Sequence, residues 1–185
     1  RFKKRKIIFS LGRLVYYKGF EYLIEAARYL GDDYVILIGG EGPLEGKLKK
    51  LAKKGKGNVL FLGKIPEAEL GNFYEACDLF CLPSVERTEA FGVVILEAFS
   101  FGKPVVATEI PFSGVSWVNK HGETGFNVEP RNPQALAEAI REILENEKIY
   151  QSFSQNAYLR WKENFTAEKM LDRFLDLYQK VIKGV

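Results

Sequence analysis

Two glutamates eight positions apart, Glu89 and Glu97, flank a glycine in the stretch Glu89-Ala90-Phe91-Gly92-Val93-Val94-Ile95-Leu96-Glu97. An apolar run ends just before it at Leu82, and a helix-forming run follows Gly92, so the glycine falls where a helix should begin. A glycine there lets a ligand approach the backbone, and the first N–H groups and positive dipole end of a helix face any bound anion. A hydrolytic pair of carboxyls is roughly 5 to 9.5 Å apart, whereas eight helical residues separate them by about 12 Å. Two separate hydrogen-bonding acids are therefore the better reading. Arg13 and Lys18 follow an earlier apolar run, Ile7-Ile8-Phe9-Ser10-Leu11. Two cations opposite a helix N-terminus suit a diphosphate through charge-assisted hydrogen bonds. They are equally two surface cations in a solvated loop, and these residues alone do not choose.

Other chemistries find no support. Gly40-Glu41-Gly42 is followed by Gly46, one position too far for the dinucleotide fingerprint, and Gly46-Lys47-Leu48 is not a triphosphate loop. The only histidine, His121, has no cysteine near it, so it reads as structural or exposed rather than as a zinc ligand. Cys77 and Cys81 flank the start of an apolar strand and read as buried thiols. There is no Asp-x-Asp pair, and the acids in Glu67-Ala68-Glu69 and Glu145-Asn146-Glu147 fit solvated helix faces. No metal and no resident cofactor are expected. The net charge of +3 does not argue for nucleic acid, and the basic runs Arg1 to Lys6 and Lys47 to Lys56 read as a charged terminus and a solvated helix face. No apolar run approaches the roughly 18 residues of a membrane-spanning helix.

The elements that must position these residues alternate. Strands are predicted at Ile7 to Leu11, Tyr34 to Ile38, Asn58 to Leu62, Asp78 to Leu82, Pro104 to Thr108 and Gly125 to Val128. Helices are predicted between them, with Pro43 in the first turn of the second, the Gly92 helix ending near Gly102, and one short helix near Val115 to Asn119. Three helices close the chain, the first introduced by Asn132-Pro133 and the last by Thr166. Such alternation implies an α/β fold with a parallel sheet of about six strands and helices on both faces. Ligands bind such sheets at the carboxyl ends of the strands, here the loops that begin at Gly12, Gly39, Gly63, Pro83, Thr108 and Val128.

Five ordered pieces then form a pattern: Gly12-Arg13-Leu14 with Lys18-Gly19, Gly40-Glu41-Gly42-Pro43, Glu89-Ala90-Phe91-Gly92 through Glu97-Ala98, Gly102-Lys103-Pro104-Val105-Val106-Ala107, and Gly122-Glu123-Thr124-Gly125-Phe126. Over nearly its whole length the chain resembles the C-terminal, donor-binding domain of family 4 (group 1) retaining glycosyltransferases with the GT-B fold. The resemblance implies one three-layer Rossmann-like domain over residues 1–185 that binds a nucleoside diphosphate sugar. The implied reaction is metal-independent sugar transfer with retained anomeric configuration. Arg13 and Lys18 match the family's diphosphate-binding cations. Glu89 matches the acid that contacts donor sugar hydroxyls, and Glu97 the acid on the ribose. Phe91, Gly92 and Val93 match the backbone that meets sugar and phosphates. Gly12, Gly40, Gly63 and Ile65 match the rest of the donor surround, with Gly40 and the Gly63 to Ile65 loop near the base.

The wording around Arg87 to Gly92 and Gly114 to Asn119 resembles members that build cell-surface polysaccharides and glycolipids. The resemblance implies a cytoplasmic enzyme, with peripheral contact to a membrane or glycolipid acceptor through an N-terminal, acceptor-binding domain not contained in this sequence. The chain begins without Met and enters a strand almost at once, as expected of a piece of a longer protein. The last helix, from Thr166 to Gly184, is expected to expose an apolar stripe, since in the family it packs on the other domain. The alternative is a nucleotide-sugar-binding module that complements a separate partner chain. An epimerase or phosphorylase on similar ligands would bring a catalytic histidine or a cofactor lysine motif, and His121 is the only histidine available.

Overall fold

The computed structural model describes residues 5–55 and 58–183. Arg1 to Lys4 of the first basic run, Lys56 of the second, and Gly184 lie outside them. Six strands, β1 (Lys6–Leu11), β2 (Tyr34–Gly39), β3 (Val59–Gly63), β4 (Leu79–Leu82), β5 (Val105–Thr108) and β6 (Gly125–Val128), pair in parallel in the order β3-β2-β1-β4-β5-β6. Among the described residues eight α-helices connect and follow them: α1 (Phe20–Leu30), α2 (Glu45–Lys53), α3 (Glu67–Ala76), α4 (Val93–Ser100), α5 (Val115–Val118), α6 (Pro133–Glu145), α7 (Glu147–Asn164) and α8 (Ala167–Lys183).

The sheet sorts its side chains by the two-residue period of a strand. Ile8, Ile36, Ile38, Leu79, Cys81 and Val106 enter one core with α1, α2 and α6. Their neighbours Phe9, Val35, Leu37, Phe80, Leu82, Val105 and Ala107 enter a second core with α3, α4 and α5. Both faces are dry, which is why the strands read as continuous apolar runs instead of alternating ones. α7 closes one end, placing Phe153 in the first core and Ala157 in the second.

Element boundaries shift where a local hydrogen bond decides them. Asp78, expected inside the fourth strand, precedes it because its carboxylate accepts from the Ile7 N–H at 2.6 Å. Pro43, expected in the first turn of α2, also lies outside, since the Leu44 N–H is drawn to the Leu14 carbonyl at 3.1 Å and the helix opens at Glu45. α4 ends at Ser100, and Gly102 (φ 62°) takes the left-handed turn that lets the Lys103 N–H reach back to Ala98 O. Asn132 caps α6 by accepting from the Ala135 N–H, and the Thr166 hydroxyl accepts from the Lys169 N–H at the start of α8.

α8 buries none of its residues. Met170, Leu171, Phe174, Leu177, Tyr178 and Val181 form its apolar stripe and are each more than half exposed. The expected exposed stripe is therefore present over the described part of this helix. Among the described residues no helix is long and apolar enough to cross a membrane.

Cys77 and Cys81 are buried and unpaired. Burial pushes the Cys77 thiol up to about 12 and raises that of Cys81 further. Because thiolate is the reactive form, neither cysteine should react with an aromatic disulfide reagent at pH 8 in the folded chain, and both should react in denaturant. Stoichiometric labelling without denaturant would contradict this placement.

Candidate functional site

The strand order reverses between β1 and β4. The chain runs outward from β1 through β2 to β3, then crosses back to lay β4 on the other side of β1. At such a switch point the loops after the two central strands diverge and leave a crevice at their carboxyl ends. Here those loops are Gly12 to Gly19 and Pro83 to Gly92.

The two loops touch through their backbones. The first makes a single 3-10 turn at Tyr16–Lys18 and enters α1 through Gly19, whose φ of 64° is left-handed. A Cβ at Gly19 would lie 2.1 Å from the Pro83 carbonyl oxygen, so only glycine admits the close approach. The Val85 N–H donates to Tyr17 O at 2.8 Å and locks the register. This approach brings the Lys18 ammonium to 2.5 Å from Glu89 Oε2, with the two side chains 11% and 10% exposed. The Ser84 hydroxyl donates to the same oxygen at 2.8 Å. The Ser113 hydroxyl and Gly114 N–H, on the loop after β5, donate to the carbonyls of Glu89 and Ala90. Glu89 is thus held by three loops, and among the described residues its Oε1 takes no hydrogen bond.

Glu97 does not share these partners. It lies on α4, where its Oε2 accepts from the Tyr74 hydroxyl at 2.7 Å. Burial, then the charge of Glu97, raises the Tyr74 phenol far above its usual range, so Tyr74 stays a donor. The two acids therefore act as separate acceptors. Gly92 caps α4 with φ 79°, and a Cβ there would meet Ile95 and Leu82 side chains at 3.0 and 3.1 Å. The glycine is required by the backbone turn, a stronger reason than ligand approach.

The remaining predicted residues fall into three groups. Gly12, Gly40 and Gly63 are stacked backbone to backbone: a Cβ at Gly40 would sit 2.0 Å from Gly12 O, and the Gly40 N–H donates to Gly63 O at 2.7 Å. Ile65 lies over this layer, its Cδ1 2.6 Å from where a Gly39 Cβ would be. Arg13 is exposed and, among the described residues, makes no ion pair, while Val93 is 61% exposed at the first turn of α4. Phe91 leaves the crevice. Its ring packs against Trp117 and Phe165, whose rings Arg160 covers, and it borders an apolar groove of about 400 Å³ that α8 closes with Met170, Phe174 and Leu177. Of the two cations expected opposite the α4 N-terminus, Lys18 is buried and paired with Glu89 rather than a surface cation in a solvated loop. His121 is exposed and structural, its Nδ1 accepting from the Asn127 N–H at 3.1 Å.

Ser84, Tyr74 and Arg131 were not singled out from the sequence. Ser84 was within reach, because it directly follows Pro83 in the same loop. Arg131 donates to the Tyr16 hydroxyl at 3.2 Å and lies 3.9 Å from Glu86, linking the loops after β6, β1 and β4. No local pattern marks Tyr74 or Arg131.

Residues 1–160 match the family described as glycosyl transferases group 1. The chain is 33% identical over 175 residues to the O-antigen chain mannosyltransferase C of Escherichia coli, covering 94% of this chain and 46% of that protein. Its fold superimposes on Anabaena HepE in complex with UDP-glucose with a TM-score of 0.86 at 24% identity, covering 97% of this chain and 50% of the other. It also superimposes on the C-terminal domain of a glycosyl transferase group 1 family protein from Francisella tularensis, with a TM-score of 0.78 at 25% identity, covering 88% of this chain and 87% of that one. The chain thus spans about half the length of the curated relative and of the Anabaena protein.

The buried pair sets an energetic expectation. Lys18→Met leaves the Glu89 carboxylate with Ser84 alone and should cost about 3 kcal/mol of stability, the low end for breaking a buried pair. Adding Glu89→Gln should recover part of that loss, a coupling readable in a urea double-mutant cycle. Strictly additive single effects would show that the two side chains do not interact.

Proposed function

The chain belongs to the group 1 glycosyl transferases, as the C-terminal domain of their GT-B fold, and from that premise we propose that it holds the nucleoside diphosphate sugar donor for transfer to an acceptor. The observation that carries the reading is the Lys18–Glu89 pair in the crevice between the loops after β1 and β4. An ammonium has three N–H donors. One goes to Glu89, which leaves two for oxygens of a diphosphate, with the exposed Arg13 on the same loop as the second cation. As the nucleotide leaves, both cations stabilise the charge that grows on it. Glu89 Oε1 is the acceptor for a donor sugar hydroxyl, and the unengaged oxygen of Glu97 for the ribose. Gly12, Gly40, Gly63 and Ile65 form a wall of backbone and apolar surface against which the base lies.

In this proposal transfer retains the anomeric configuration and uses no metal, the arginine and lysine supplying the positive charge at the leaving group. The acceptor approaches from a preceding domain, and the products are cell-surface polysaccharides or glycolipids. The exposed stripe of α8 supports a missing partner surface of that kind.

Calorimetric titration of the chain with UDP, GDP and ADP should show binding of at least one. Arg13→Ala, an exposed position, should weaken it by about tenfold or more with stability unchanged, and Lys18→Ala should weaken it as well. No heat from any of the three, or wild-type affinity in both variants, overturns the donor reading. The chain alone should transfer no sugar, and measurable transfer to an acceptor would refute the assignment of only half a site.

A further inference from the structure

The loop between β5 and α5 carries a residue that the fold does not need. Ile110 to Ser113 form a β-turn closed by the Ser113 N–H on Ile110 O at 3.1 Å. Pro111 takes the second place and Phe112 the third, with φ 62°. A turn with positive φ at its third place ordinarily holds glycine or asparagine, and a bulky side chain there is strained. The Phe112 side chain gains nothing from the rest of the chain in return, since the residue is 96% exposed. A strained residue with no internal partner points to a contact outside the chain.

Beside it lies a hollow of about 670 Å³, lined by Glu109, Ile110, Phe112 and Ser113 from the loop after β5, Ser116 from α5, and Glu129 from the loop after β6. The lining combines one aromatic ring, Ile110 and two prolines with two carboxylates and two hydroxyls. That set suits a sugar, whose C–H face stacks on an aromatic ring while its hydroxyls donate to carboxylates. The hollow also belongs to the reaction edge of the sheet: Ser113, in its lining, donates to the Glu89 carbonyl, and the next residue, Gly114, to that of Ala90.

We propose that this hollow is a saccharide subsite in which Phe112 stacks on a sugar ring of the acceptor and Glu109 and Glu129 accept from its hydroxyls. That the sugar belongs to the acceptor rests on the glycosyl-transfer reading above, and that it is a saccharide rests on the lining alone. The subsite lies beyond the loop that holds Glu89, away from the β2 and β3 loops assigned to the base. It makes the C-terminal domain a participant in acceptor choice.

The test is amide NMR of the ¹⁵N-labelled chain, titrated to high millimolar concentration with methyl α-mannoside, methyl α-glucoside and methyl N-acetyl-α-galactosaminide. At least one should shift the amides of Phe112 to Ser116 and of Glu129 saturably. Phe112→Ala should weaken that response roughly fivefold or more while the rest of the spectrum stays in place, and Glu129→Gln should weaken it independently. No response there from any glycoside assigns Phe112 to a protein contact and overturns the subsite, as does an undiminished response in Phe112→Ala. UDP, GDP and ADP in the same spectra separate the two readings. Nucleotide shifts at Lys18 and Glu89 without glycoside shifts at Phe112 remove the subsite alone, and the reverse keeps a saccharide site but removes the donor reading and with it the acceptor assignment.

Discussion

A lysine and a glutamate 71 positions apart meet at 2.5 Å, almost out of reach of water, and much of the carboxyl edge is arranged around that meeting. Two charges taken from water gain only when their geometry is good and their other hydrogen-bonding capacity is met. Ser84 supplies part of that to Glu89, and the Thr108 hydroxyl in turn donates to Ser84 O. The pair is possible only because the loops after β1 and β4 lie against each other at backbone distance, which Gly19 permits and the Val85 to Tyr17 bond holds. Sheet order, loop contact and ion pair therefore form one chain of causes.

The same edge shows how little of a binding crevice has to be side chain. Gly40 packs on Gly12 O without room for a Cβ and donates its N–H to Gly63 O, so this part of the floor is shaped by backbone. In the proposed donor site such a floor would select by shape and by N–H and C=O direction. Of the two cations on the first loop, Arg13 is exposed and Lys18 is held by Glu89.

α8 stands apart from this economy. Its apolar stripe lies over no core of its own, yet it closes a groove against Phe91, which follows Glu89 by two residues. Phe91, Trp117 and Phe165 form one aromatic cluster under Arg160, so the helix and the loop of Glu89 share a packed contact. A surface docked on α8 would bear on that cluster.

Much of the fold was legible in the residues. Continuous apolar runs such as Tyr34–Ile38 signal strands buried on both faces, and the periodic Phe20, Leu23, Ile24, Ala27 and Leu30, stopped by Gly31, signal a helix, because both patterns are imposed locally by backbone period. The same holds for Asn132 and Thr166 as caps, and for Arg13, Lys18, Glu89 and Glu97 as chemically notable types in loops or at helix ends. What no local pattern carries is pairing. That Lys18 is matched by Glu89, that Glu97 is held by Tyr74, that Arg131 links three loops and that Phe112 stands strained beside a hollow all depend on distances across the sheet. Those distances follow from the order β3-β2-β1-β4-β5-β6 and from close backbone contacts between loops distant in sequence. Local pattern sets the elements and the inventory of charged groups; which of those charges neutralise each other is settled only in the folded chain, because electrostatic pairing depends on distance in space and burial, not on position along the chain.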